Sequence, residues 1–283
     1  MIKQRSENDC HRIAFCCMQM PLFADPMTLF ARATLLLAIG CGLEPLETVA
    51  RTTRPNVIIV LTDDQGFGDV GIHGNDQINT PNLDQFAAEG IRLQRFYCSP
   101  ACAPTRASLM TGRYYYRSGV IHTSRGGAKM GSENVTIAER LHDAGYTTGI
   151  FGKWHLGDNY PLRPQDQGFA ESLIHKSGGI GQTPDKPNSY FDSKLWHNGK
   201  QVLGTSYCTD FFFQAATEFI ERHQQQPFFV YLATIAPHTP LEIAERYVKP
   251  HRQRGLDETT ARVYGMVENI DENLVVCSNV LTI

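Results

Sequence analysis

Four short segments of this chain carry side chains whose types and spacing suit chemistry. In Cys102-Ala103-Pro104-Thr105-Arg106 a sulfur stands one helical turn ahead of a guanidinium, with a proline suited to a helix start. An arginine there neutralises negative charge beside a helix N-terminus. The pentapeptide alone equally suits an inert cysteine in a proline turn. Asp63-Asp64 ends an apolar run. Two adjacent carboxylates repel unless a cation holds them, and oxygen-only ligation suits a hard ion, calcium, with magnesium as the alternative. A helix N-cap or solvated turn is the competing reading. In Gly152-Lys153-Trp154-His155-Leu156-Gly157, Lys153 and His155 are two apart, so on extended chain both side chains share one face. Imidazole titrates near working pH and is suited to carrying a proton. His238 sits in Pro237-His238-Thr239-Pro240, whereas His73, His122 and His175 have no such context and read as surface or loop residues. Asp69 reads as a turn residue.

These residues need a frame. Val57 to Leu61 is a continuous β-branched-rich run closed by Asp63, Asp64 and Gly66, as for a strand buried on both faces, and is expected mid-sheet. Thr80-Pro81-Asn82-Leu83-Asp84 predicts a capped helix through Ala88, ended by Gly90. Thr136 to Ala144 reads as an amphipathic helix stopped at Gly145, and Thr147 to Phe151 as the next strand. A helix around Phe212 to His223 leads through Pro227 to a strand at Phe228 to Ala233, and a further helix is expected from Thr259 to about Asn273. Strands alternating with helices predict an α/β fold, a mostly parallel sheet sandwiched between helices, with Asp63 and Asp64 at its carboxyl edge. Leu162 to Gly204, rich in Gly, Pro, Asn and Asp, reads as a long surface excursion near the site.

The four segments together resemble the type I, formylglycine-dependent sulfatases of the alkaline phosphatase superfamily, from Arg54 to about Asn273. Cys102-Ala103-Pro104-Thr105-Arg106 with its extension Thr111-Gly112-Arg113 is similar to the family's C-x-P-[ST]-R signature. Cys98-Ser99-Pro100 is a decoy, because its fourth following residue is Cys102 and not arginine. The resemblance implies that a formylglycine-generating maturation enzyme converts Cys102 to formylglycine, whose hydrate offers one hydroxyl to attack sulfur and a second to lose its proton. A serine would attack and remain sulfated. The resemblance further implies that Arg106 holds the diol and that His155 takes the second proton. It makes Lys153 and His238 substrate contacts, His238 helping the leaving oxygen, and Asp63, Asp64 and the modified Cys102 ligands of the metal. The implied substrate is a sulfated small molecule or a sulfated carbohydrate.

Composition agrees with a globular enzyme: 283 residues, 42% hydrophobic and 19% charged. A net charge of -3 gives no global field for nucleic acid or an anionic membrane. The eight cysteines include no CxxC pair, which argues against zinc, and their clustering before Met27 argues against a disulfide framework. Residues 1–50 read as a targeting segment ahead of a catalytic domain at 51–283. The apolar run Ala33 to Leu43 is too short to span a bilayer, and Thr48-Val49-Ala50 resembles a cleavage site, so export to the periplasm or outside the cell is expected. Ala38-Ile39-Gly40-Cys41 approaches a lipoprotein box, an alternative to ordinary cleavage. Full sulfatases continue to a strand ending in D-N-G or D-H-G, then a lysine and a smaller domain, none found here, and Leu274 to Ile283 loses the helical pattern. The expectation is therefore of a C-terminally truncated chain. A catalytically inactive remnant and a phosphonate or phosphate monoester hydrolase of the same superfamily are the alternatives to a working sulfuric ester hydrolase.

Overall fold

The computed structural model describes residues 54–124 and 127–281, with side chains as far as Val275. The targeting segment expected over residues 1–50 lies outside the described residues, as do Cys10, Cys16, Cys17 and Cys41. Six strands follow the chain as β1 (Val57–Leu61), β2 (Thr147–Lys153), β3 (Glu171–His175), β4 (Lys194–His197), β5 (Lys200–Leu203) and β6 (Phe228–Ala233). The α-helices are α1 (Pro81–Glu89), α2 (Cys102–Thr111), α3 (Ile137–Asp143), α4 (Cys208–Arg222), α5 (Glu245–Gln253) and α6 (Glu258–Leu281). The sheet order is β1-β6-β2-β3-β4-β5. The first four of these are parallel to one another, and β4 and β5 run antiparallel.

β6 shows why the sheet is covered on both sides. Phe228, Val230 and Leu232 enter one core with Phe212, Phe213 and Phe219 of α4 and Met266 and Ile270 of α6. Phe229, Tyr231 and Ala233 alternate into a second core with Ala103, Ala107 and Met110 of α2 and Ala138 of α3. All six are buried, so the strand reads as an unbroken apolar run, as parallel strands between two helical layers do. β1 divides in the same way, Ile58 to one core and Ile59 to the other. It nevertheless lies at the edge of the described sheet and not in its middle, because burial on both faces reports the helical layers and not the lateral neighbours.

Four further expectations are corrected. Leu162 to Gly204 is not a structureless excursion, since β3, β4 and β5 lie within it and widen the sheet. β4 and β5 are joined by Asn198-Gly199, both at positive φ (49° and 82°), the turn chemistry of a two-residue hairpin. Thr80 is the N-cap residue of α1 but makes no side-chain cap; its Oγ1 accepts from Gly71 N instead. Asp271 of α6 caps α1 in its place, its carboxylate accepting from Leu83 N at 2.7 Å and Asn82 N at 3.2 Å. The helix expected to fade after Asn273 continues to Leu281. Strand β2 runs past Phe151 to Lys153, and that extension carries the motif lysine to the carboxyl edge. Among the described residues no helix is long and apolar enough to cross a membrane.

Candidate active site

The site begins where β1 and β2 end. Asp63, two residues past β1, is 2% exposed, its backbone N–H donating to Ala236 O at 3.2 Å. Lys153 at the end of β2 donates its ammonium to Asp63 Oδ2, and Arg106 Nη2 reaches Oδ1 at 3.3 Å. Arg106 is itself fixed, Nη1 donating to Lys153 O at 2.8 Å and Tyr231 Oη at 3.2 Å. Three ionisable groups thus share one buried cluster with two cations to one carboxylate. Burial alone pushes the Asp63 carboxyl up, but Arg106 and Lys153 outweigh it and hold it below the usual carboxylate range. Lys153 is pulled down, first by burial and then by the neighbouring Arg106.

Gly152 explains how β2 delivers Lys153 so close to β6. Its φ is 117°, and a Cβ there would stand 1.9 Å from Ala233 O, its register partner. Only glycine allows that approach.

Cys102, the first residue of α2, is half-buried. Its Sγ is 3.3 Å from His155 Nδ1, while His155 Nε2 is 2.9 Å from Thr123 O. A carbonyl only accepts, so Nε2 carries the hydrogen and Nδ1 presents its lone pair to residue 102. Burial and then the Lys153 charge push the His155 pKa down to about 4, keeping that ring neutral. His155 has φ 59°, so the chain is not extended after Lys153. The two side chains do not share one face as expected: the left-handed residue sends the imidazole to Cys102 and the ammonium goes to Asp63.

Asp64, also at positive φ (64°), turns its carboxylate outward and lies 3.6 Å from His238 Nε2. His238 Nδ1 contacts Thr239 O at 2.6 Å, so Nδ1 donates and Nε2 faces Asp64. The His238 backbone is held by buried Tyr190, whose hydroxyl donates to His238 O at 2.6 Å. Cys102, Arg106, Lys153, His155, Asp63, Asp64 and His238 are therefore brought to one edge of the sheet.

Asp63 and Asp64 fit a hard divalent cation in donor type. They fit it less well in number, since both Asp63 oxygens are engaged by cations, and among the described residues no three His, Cys, Asp or Glu side chains converge as a metal site. Asp69 closes the turn over Gly66, accepting from Gly66 N at 2.8 Å, as the sequence suggests. His73 and His122 are exposed. His175 is not a surface residue: it is 1% exposed on β3, in register with Lys153. Its Nδ1 meets Lys176 O at 2.8 Å, its buried Nε2 has no partner, and burial pushes its pKa down to about 3. Tyr231 was missed, although it is the lone hydroxyl in the apolar run of β6. Thr123 left no signal, because it acts through its backbone.

A family model and curated relatives agree on one family. A family model described as Sulfatase matches residues 55–276. Arylsulfatase J of Mus musculus is 32% identical over 245 residues, covering 81% of this chain and 40% of that protein. N-acetylgalactosamine-6-sulfatase of Canis lupus familiaris is 32% identical over 255 residues, covering 78% of this chain and 49% of that protein. The chain thus spans about half the length of the curated relatives it matches. The crystal structure of Ps i-CgsB in complex with k-i-k-neocarrahexaose superimposes with a TM-score of 0.74 at 30% identity, covering 81% of this chain and 55% of that one.

Proposed function

This chain belongs to the sulfatase family, and from that premise we propose that it hydrolyses sulfate esters, with Cys102 matured to formylglycine as the attacking residue. The observation that carries the reading is the double contact of His155, Nδ1 toward Cys102 and Nε2 to Thr123 O. A formylglycine hydrate supplies two hydroxyls on one carbon, one to attack sulfur and one to release the product by giving up its proton. His155 Nδ1 stands where that second proton leaves, in the tautomer that accepts it, and its depressed pKa keeps it free to do so. Arg106, locked by Asp63, Tyr231 and Lys153 O, holds positive charge next to residue 102. Lys153 adds a second cation for the sulfate oxygens. In a site closed to water such fixed charges act on a developing anion more strongly than in solution. His238, on the Asp64 side, gives a proton from Nε2 to the leaving oxygen in the form with hydrogen on both ring nitrogens, so that the alcohol departs neutral.

A divalent cation at Asp63 and Asp64, calcium or magnesium, would polarise the ester oxygens when bound. The substrate class is a sulfated small molecule or carbohydrate, supported by the names of the relatives and by the saccharide bound to Ps i-CgsB. Maturation calls for a formylglycine-generating enzyme. The apolar run within residues 1–50 supports export, with residues 51–283 belonging to the N-terminal catalytic domain.

Kinetics on an aryl sulfate and the matching aryl phosphate, with the chain co-produced with a formylglycine-generating enzyme, test the proposal. A higher kcat/KM for the sulfate, abolished by Cys102→Ala, is expected. Preference for the phosphate would move the chain to the phosphomonoester or phosphonate hydrolases of the superfamily.

A further inference from the structure

Gly178 and Gly179, on the chain after β3, are both buried and lie against the two site histidines. A Cβ on Gly178 would stand 2.6 Å from His155 Cε1 and 2.7 Å from Nε2. One on Gly179 would stand 2.9 Å from His238 Cε1 and 3.1 Å from Nδ1. Neighbouring glycines therefore touch different imidazoles, and in each case the ring nitrogen they touch is the one bonded to a backbone carbonyl.

The segment is pinned on both sides. Ser177 N donates to Asp158 Oδ2 at 3.1 Å, just past the lysine-histidine motif, and Lys176 N donates to Asp185 Oδ2 at 3.3 Å. Ile180 is 3% exposed in the core with Phe212 and Leu232. Gln182 N closes a turn on Gly179 O at 3.2 Å. An added methyl would meet a loop that cannot retreat and a ring that can rotate about its χ angles, so the ring is the part that moves.

We infer that Gly178 and Gly179 are positioning residues, a bare backbone wall that holds His155 in its working tautomer and both His155 and His238 in their working orientations. The inference rests on the proposed roles of the two histidines. Gly178→Ala would push His155 off Thr123 O and release the constraint that aims Nδ1 at residue 102. Gly179→Ala would push His238 off Thr239 O and turn Nε2 away from the leaving oxygen.

The test has two parts. In the full chain, 15N spectra of the histidine side chains at fixed pH should show His155 with its hydrogen on Nε2 alone and His238 with a hydrogen on Nδ1, Nε2 being free to carry the proton it donates. Gly178→Ala should disturb only the first and Gly179→Ala only the second, with unchanged circular dichroism. For the matured chain, each variant should lose about 10²-fold in kcat with little change in KM, as a displacement near 1 Å at the chemistry does. Only Gly179→Ala should make the rate steeply dependent on the leaving-group pKa across aryl sulfates. Unchanged imidazole spectra in both variants would overturn the inference. Should a variant fail to fold, nuclear Overhauser contacts from Gly178 Hα to His155 Hε1 and from Gly179 Hα to His238 Hε1 in the unaltered chain decide the matter, their absence overturning it. If aryl sulfate is not hydrolysed while the imidazole spectra shift as described, the functional reading fails and the positioning wall stands.

Discussion

His155 Nδ1 lies 3.3 Å from Cys102 Sγ, and the opposite nitrogen of the same ring is committed to Thr123 O. The tautomer is thereby chosen by a backbone carbonyl and not by the reacting residue. His155→Ala should cost about 10²–10⁴ in kcat, the range for loss of a positioned acid or base. Aryl sulfate turnover measures it, and a loss under tenfold would remove His155 from the proton path.

Asp63 joins two buried cations, so its removal is a stability matter as well as a chemical one. Asp63→Ala leaves Lys153 and Arg106 buried without their carboxylate and should cost about 3–5 kcal/mol, as breaking a buried pair from one side does. Lys153→Met, which leaves Arg106 to satisfy Asp63, should cost less. Urea denaturation midpoints compare the two, and equal midpoints would show that the cluster is not a single electrostatic unit.

Acid should destabilise the fold through its buried histidines. Burial holds His175 at about 3 and His155 at about 4, against 6.5 for the free side chain. Both are neutral in the native state, while the unfolded chain takes up protons once pH falls below that free value. Their contribution is therefore whole above it and is lost as pH falls toward the native values, by roughly 1 kcal/mol per pH unit for each ring. His175→Phe should flatten the fall in stability between about pH 6 and about pH 4. An equally steep fall in the variant would mean that His175 is not held neutral by burial.

The sequence exposed the elements whose pattern is local and hid those whose reason is distant. β6 was legible as Phe228–Ala233 because its run is apolar throughout, and α3 because its amphipathic pattern stops at Gly145. β3 was hidden by Glu171, Ser172 and His175 in a five-residue strand, and the hairpin signal Asn198-Gly199 was masked by the surrounding glycine and proline. At the site, side chains within contiguous motifs were found. Tyr231, the Thr123 carbonyl and the Gly178-Gly179 wall were not, because each owes its place to a segment far away in the chain.

Asp271 supplies one such distant dependence, capping α1 from α6 where Thr80 does not. Asp271→Ala should cost about 1 kcal/mol, the usual worth of an N-cap, and Thr80→Ala should not reproduce it through α1. Amide hydrogen exchange at Asn82 and Leu83 distinguishes them: faster exchange at both in Asp271→Ala is expected, and no change would assign the cap elsewhere.

The central claim is that Cys102 is the precursor of the attacking group, and peptide mass spectrometry across Phe96 to Arg106 tests it most directly. After co-production with a formylglycine-generating enzyme, the account predicts the mass of an aldehyde in place of the thiol at Cys102 and an intact thiol at Cys98. An unmodified Cys102, or the aldehyde on Cys98, would contradict it.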